Sequence, residues 1–148
     1  MTPIGKAPMA VFLSIRAMDS WVHEQDIRRA INKPGTQGSL CAELSVDRLC
    51  RTLPMVVGKR AKAPEGSVSA VKITGPVQRN IVIAVKDGRA AVLEASDIAP
   101  IVEIEFDSNV FIELATGRAT SDQLQEKIKI VGDVALGERV VDALNMMI

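Results

Sequence analysis

The apolar residues of this chain change their period near its middle, and that change restricts the fold more than any motif does. Up to about residue 62 they recur at spacings of three to five; beyond residue 67 they alternate. A period near 3.6 belongs to helices that bury one stripe, and a period near 2 to strands that bury one face. In "APMAVFLSIRAMDSWVHEQDIRRAIN" the stripe runs through Phe12, Ile15, Met18, Val22 and Ile27, and "NKPG" ends it, because the residue before a proline is pushed out of the helical region. A second helix is expected from about Ser39 to Gly58 on Leu40, Leu44, Leu49 and Leu53, kinked or ended by Pro54.

"KAPEGS", residues 62–67, has linker composition. After it, "SVSAVKITG" alternates, "NIVIAVKDGRAAVLEA" places two apolar runs about Asp87-Gly88, and "PIVEIEFD" sets Val102, Ile104 and Phe106 against Glu103 and Glu105. Asp-Gly between apolar runs is a strong hairpin signal. Four strands with short turns predict an antiparallel sheet wet on one side. Helical signals return with an N-cap at Asp107 or Ser108, a stop at Gly117, and a cap at Ser121. "KIVGD" reads as a last strand, and Asp133 caps a helix with an apolar face of Val134, Leu136, Val140, Val141, Leu144 and Met147. The expected order β-β-β-β-α-α-β-α makes the second half an α+β domain. The domains expected are residues 1–62 and 63–148.

With 148 residues and 47% apolar composition the chain can bury a core. Aromatics are 3% with no tyrosine, and Lys+Arg balance Asp+Glu at 18 each. A stacking platform or a phosphate-backbone binder needs more of both, so no nucleic-acid partner is expected. No run approaches the ~18 apolar residues of a membrane span, so no membrane partner is expected and the location expected is cytoplasmic. Cys41 and Cys50 match neither a redox pair nor a zinc knuckle, and read as small buried hydrophobes.

One stretch carries candidate chemistry. "RAMDSWVHEQDIRRA" holds the single histidine and the single tryptophan. Asp19 and His23 stand four apart on one helix face, with Asp26 three further on. Such a carboxylate and imidazole can both reach a divalent cation, or form an ordinary exposed ion pair. Arg28 and Arg29 read as helix-end cations or as partners of Glu24 and Asp26; Trp21 reads as core. Among Gly-rich motifs, none has a phosphate-loop or nucleophile-elbow spacing.

That stretch is followed in order by "LPMVVGKRAKAPEGS", "ITGP", "DGRA", "FIELATGRA" and "IVGDVALGERVVDALNMMI". The ordered set, covering the chain from about Phe12 onward, resembles the actinobacterial mycothiol-dependent maleylpyruvate isomerase family. The resemblance implies an N-terminal four-helix bundle of the damage-inducible type that binds a divalent metal, usually zinc, and a C-terminal sterol-carrier-like α+β domain. It implies metal ligands at Asp19 and His23, where the family has a carboxylate (glutamate in its best-known member) and a histidine, plus a histidine from an early helix. The metal would activate the thiol of mycothiol for attack on a small-molecule substrate. The early helices are absent here, so the N-terminal helical pair is expected to be the remnant of the bundle and the chain to be truncated relative to longer members. The function expected is metal-ion binding at a partial site, with the family's isomerase chemistry not assigned to this chain alone. The alternative is a non-catalytic binding module that dimerises or pairs with a separately encoded N-terminal half.

Overall fold

A computed structural model describes residues 8–94 and 98–146. Two compact units divide between Arg48 and Leu49. The first contains α1 (Met9–Ala30) and most of α2 (Leu40–Cys50). In α1 the buried residues are Met18, Trp21, Val22 and Gln25, while Phe12 and Ile27 of the expected stripe are exposed, Ile27 at 64%. In α2 the buried residues include Ala42, Ser45, Val46 and Leu49, while Leu40 is 71% exposed and Leu44 is also exposed. Both helices carry apolar residues on more than one face, so the expected stripes hold at Met18, Val22, Leu49 and Leu53 and fail at Phe12, Ile27, Leu40 and Leu44. Buried Gln25 is satisfied by donating from Nε2 to Thr36 Oγ1 at 2.9 Å, and Trp21 Nε1 donates to the Thr36 carbonyl at 3.3 Å. Cys50 is buried but Cys41 is exposed, since nine positions turn a helix by two and a half turns.

The second helix ends at Cys50 rather than near Gly58. Pro54 starts a new short helix, α3 (Leu53–Met55), which widens into a π-helical turn, Val56–Arg60. Five strands follow: β1 (Val68–Thr74), β2 (Arg79–Lys86), β3 (Arg89–Leu93), β4 (Val102–Asp107) and β5 (Ile128–Gly132). Their order across the sheet is β3-β2-β1-β4-β5. The expected hairpin is present: Lys86 pairs with Arg89 around Asp87 and Gly88, both at positive φ, as a mirror-image turn demands.

The sheet is mixed, not antiparallel. β4 pairs in parallel with β1, and the other three pairings are antiparallel. β4 lies on the side of β1 away from β2, and Ile101 N–H donates to the Val68 carbonyl at 2.8 Å. The register aligns Ser69, Val71 and Ile73 with Val102, Ile104 and Phe106, so these share one face. All six are buried. The opposite face is polar at its centre, where Lys72 pairs with Glu105 at 2.7 Å.

Helices α4 (Ser108–Ala115) and α6 (Val134–Asp142) cover the apolar face. Asp107 caps α4 by accepting from the Asn109 N–H at 2.8 Å, and the Phe111 ring stacks on Phe106 with centroids 5.5 Å apart. Asp133 caps α6 by accepting from the Leu136 N–H at 2.9 Å. The short α5 (Ser121–Leu124) is capped by Thr120 instead of Ser121, in a box where Thr120 N–H donates to Gln123 Oε1 at 2.9 Å. On α6, Leu136, Val140, Val141 and Leu144 are buried as expected, Val134 is exposed, and Met147 lies outside the described residues.

Gly137 sets how closely α6 approaches the sheet. A Cβ there would stand 2.3 Å from Ile130 Cγ2 and 3.2 Å from Val102 Cγ2. Gly137→Ala raises helix propensity by about 1 kcal/mol, but overpacking costs about 1–3 kcal/mol. The expected net effect is a lowered melting temperature in calorimetry. A variant more stable than the parent would show that the helix can move away from the sheet freely.

Candidate functional site

At the β5 edge the helical layer stops short of the sheet. Gly137 presses on Ile130, but Ile128 and Ile130 are still partly exposed. The chain turns from β5 into α6 at Gly132, whose φ of +92° and whose approach to the Ile101 carbonyl leave no room for a side chain. Opposite lie α5 and the following 3-10 turn, Gln125–Lys127, with Ser121 of α5 bonded to Asp142 of α6. The result is a cleft of about 430 Å³. Ile128, Ile130, Val134 and Val141 supply its apolar lining, and Ser121, Asp122, Gln125, Glu138 and Asp142 its polar lining. A second cavity of about 270 Å³ adjoins it, with Leu114, Gly117, Ala119 and Asn145 in its walls. Both include Ser121, Val141 and Asp142, and Ser121 Oγ donates to Asp142 Oδ1 at 2.5 Å. A third hollow, about 550 Å³, lies where Gly58 packs on Ala90 beside Lys59 and Arg89. Sequence reasoning assigned Val134 and Val141 to the core side of α6 and gave β5 no role. The available signal was an apolar edge strand, Ile128 and Ile130, beside a helix that opens with an apolar residue.

The structure brings the sequence-derived site residues together on α1, on an exposed face. His23 Nε2 lies 3.6 Å from Asp19 Oδ1, and His23 Nδ1 lies 3.4 Å from Asp26 Oδ2, with the His23 side chain 65% exposed. Asp19 Oδ2 accepts from Arg16 Nη1 at 2.9 Å, and Asp26 Oδ1 accepts from Arg29 Nη2 at 2.6 Å. Among the described residues no group of three or more His, Cys, Asp or Glu side chains is arranged to hold a metal ion. A zinc site wants at least three protein ligands, so the Asp19–His23 pair does not by itself fit one. Beside it, Glu24 Oε1 accepts from Arg28 Nε at 2.7 Å and from Thr36 Oγ1 at 3.1 Å. The Arg28 bond holds the Glu24 carboxyl below its ordinary range; partial desolvation opposes this and the Thr36 hydroxyl reinforces it. No helix among the described residues is long and apolar enough to cross a membrane.

Residues 46–145 match the model of the SCP-2 sterol transfer family, and the chain belongs to that family. Solved structures share the fold at low identity. Sterol carrier protein 2-like 2 from Aedes aegypti is 16% identical, with a TM-score of 0.50 over 66% of this chain and 94% of that one. A palmitated sterol carrier protein 2-like 2 from Aedes aegypti is 15% identical, with a TM-score of 0.50 over 69% of this chain and 96% of that one. Sterol carrier protein domain 2 of Helicoverpa armigera is 19% identical, with a TM-score of 0.49 over 67% and 87%. No curated protein sequence matches the chain.

The Glu24 contacts make a pH prediction. A carboxyl whose folded pKa is depressed stabilises the fold above its unfolded value of about 4.3, and that contribution disappears as pH falls through the folded pKa. The Glu24 carboxyl resonance in an NMR titration should therefore turn over at lower pH in the parent than in Arg28→Ala. Coincident midpoints would show that the Arg28 bond does not persist in solution.

Proposed function

We propose that the sheet-bearing unit binds an apolar, single-chain lipid such as a fatty acid. The observation that carries this reading is the cleft at the β5 edge. Its volume of about 430 Å³ falls within the roughly 300–1,000 Å³ usual for small-molecule sites. Its lining of Ile128, Ile130, Val134 and Val141 favours methylene groups, each worth about 0.8 kcal/mol on burial. A polar headgroup would remain at the mouth, where the Gln125 amide can donate to it and water separates it from Asp122, Glu138 and Asp142. Membership of the SCP-2 sterol transfer family supports a lipid ligand, and the palmitated Aedes aegypti structure supports a fatty acid among lipids. Titrating the purified chain with a fluorescent fatty acid, then displacing it with palmitate, is expected to give saturable binding. Ile130→Glu, which puts a further carboxylate into a cleft already lined by Asp122, Glu138 and Asp142, is expected to weaken it at least about tenfold, because the new charge disrupts the apolar lining and repels an acid headgroup. Absence of saturable binding by the folded parent would refute the assignment.

A second reading concerns the first unit. The ordered sequence pieces support membership of the mycothiol-dependent maleylpyruvate isomerase family. On this reading residues 1–62 are a partial metal-binding bundle, with zinc held by Asp19, His23 and ligands supplied by a second copy or a separate N-terminal chain. The observation favouring it is the common face shared by Asp19 and His23, 3.6 Å apart. Metal analysis of the purified chain decides it. Stoichiometric zinc that disappears in His23→Ala supports ligation; a metal-free parent after growth with zinc removes the case for the isolated chain.

A further inference from the structure

We propose that the Ser121–Asp142 hydrogen bond is a length gate, dividing one groove along α6 into two compartments and setting how long an apolar chain the protein holds. The inference rests on the lipid-binding reading of the cleft and deepens it. Ser121 is the first residue of α5 and Asp142 the last of α6, so their bond bridges the two helices across the groove. The cavities on either side share only this pair and Val141. Val141 is buried, which gives both compartments a continuous apolar floor beneath the bar.

The compartment beyond the bar is about 270 Å³. At roughly 30 Å³ for a water-sized group, it has room for a run of several methylenes. Its far wall is held by backbone contacts. Arg60 Nη1 donates to the Asn145 carbonyl at 2.6 Å and to the Ala143 carbonyl at 3.0 Å, and Met146 N–H donates to the Ala115 carbonyl at 3.0 Å. Gly117, at a φ of +69°, lets the Asn145 side chain approach to where a Cβ would stand 3.0 Å away. The bar differs from these walls, because it is a single bond between two side chains, one of them exposed. Such a bond contributes little net free energy, so it is the movable part of the groove.

The test measures displacement of a fluorescent fatty acid by saturated fatty acids of increasing length, using the full chain. Within a compartment each added methylene tightens binding about fourfold. The parent is expected to stop gaining affinity at the length that fills the larger cleft. Ser121→Ala and Asp142→Ala remove the bar and are expected to continue gaining, binding acids about two methylenes longer at least about tenfold more tightly than the parent. Ser121→Thr keeps the hydroxyl and, whatever its added methyl does to absolute affinity, is expected to stop gaining at the same length as the parent, which separates loss of the bond from a general disturbance of α5. Superimposable length profiles for the parent and both alanine variants overturn the gate while leaving lipid binding intact. Failure of the parent to bind an acid of any length overturns the cleft reading and the gate together.

Discussion

The parallel pairing of β4 with β1 is the constraint from which the rest of the sheet-bearing unit follows. It aligns Val71 with Ile104 and Ile73 with Phe106, so that one face becomes a continuous apolar surface. It also leaves the outer side of β4 free for β5, which pairs there antiparallel. Had β4 joined β3, as a run of consecutive hairpins would place it, β5 and the groove beside it would have no strand to stand against. Phe106, fixed by this register, gives Phe111 its stacking partner and so seats α4 on the same face.

The groove runs beside α6, where that helix meets the sheet closely at Gly137. Gly137 lets α6 lie against Val102 and Ile130, while α5 is a single turn held by its own cap. Apolar side chains on β5 are therefore covered on one side and open on the other. A layer packed to uniform depth would have buried Ile128 and Ile130 and left no cleft. The Lys72–Glu105 pair lies across the sheet on the opposite face, where Glu105 is held below its ordinary pKa chiefly by the Lys72 hydrogen bond; that face is built for water.

Much of this was legible from local rules. The Asp87-Gly88 turn, the caps at Asp107 and Asp133 and the alternation of Val102, Ile104 and Phe106 each depend on a few adjacent residues, and each appears where those residues predict it. Strand partnership depends on residues far apart in sequence, and alternation says nothing about which neighbour a strand takes; the parallel β1–β4 pair was invisible for that reason. Helix faces failed for another. Ile27 and Leu40 are as apolar as Val22 and Leu49, and only packing chose between them. The cleft was missed because Val134 and Val141 read as ordinary core positions. Asp19 and His23 were found on one face as the spacing required, yet the spacing had no means of showing that Arg16 already occupies one of the Asp19 oxygens.

Every residue lining the two compartments falls between Leu114 and Asn145. Among the described residues the central strands β1 and β2 contribute none. A binding region drawn from one contiguous stretch can be rewritten by substitutions, or exchanged whole with a relative's segment, while the strand pairings that define the fold stay untouched. On the proposed lipid-binding reading, ligand preference would in that sense be a cassette, separable from the scaffold that holds it.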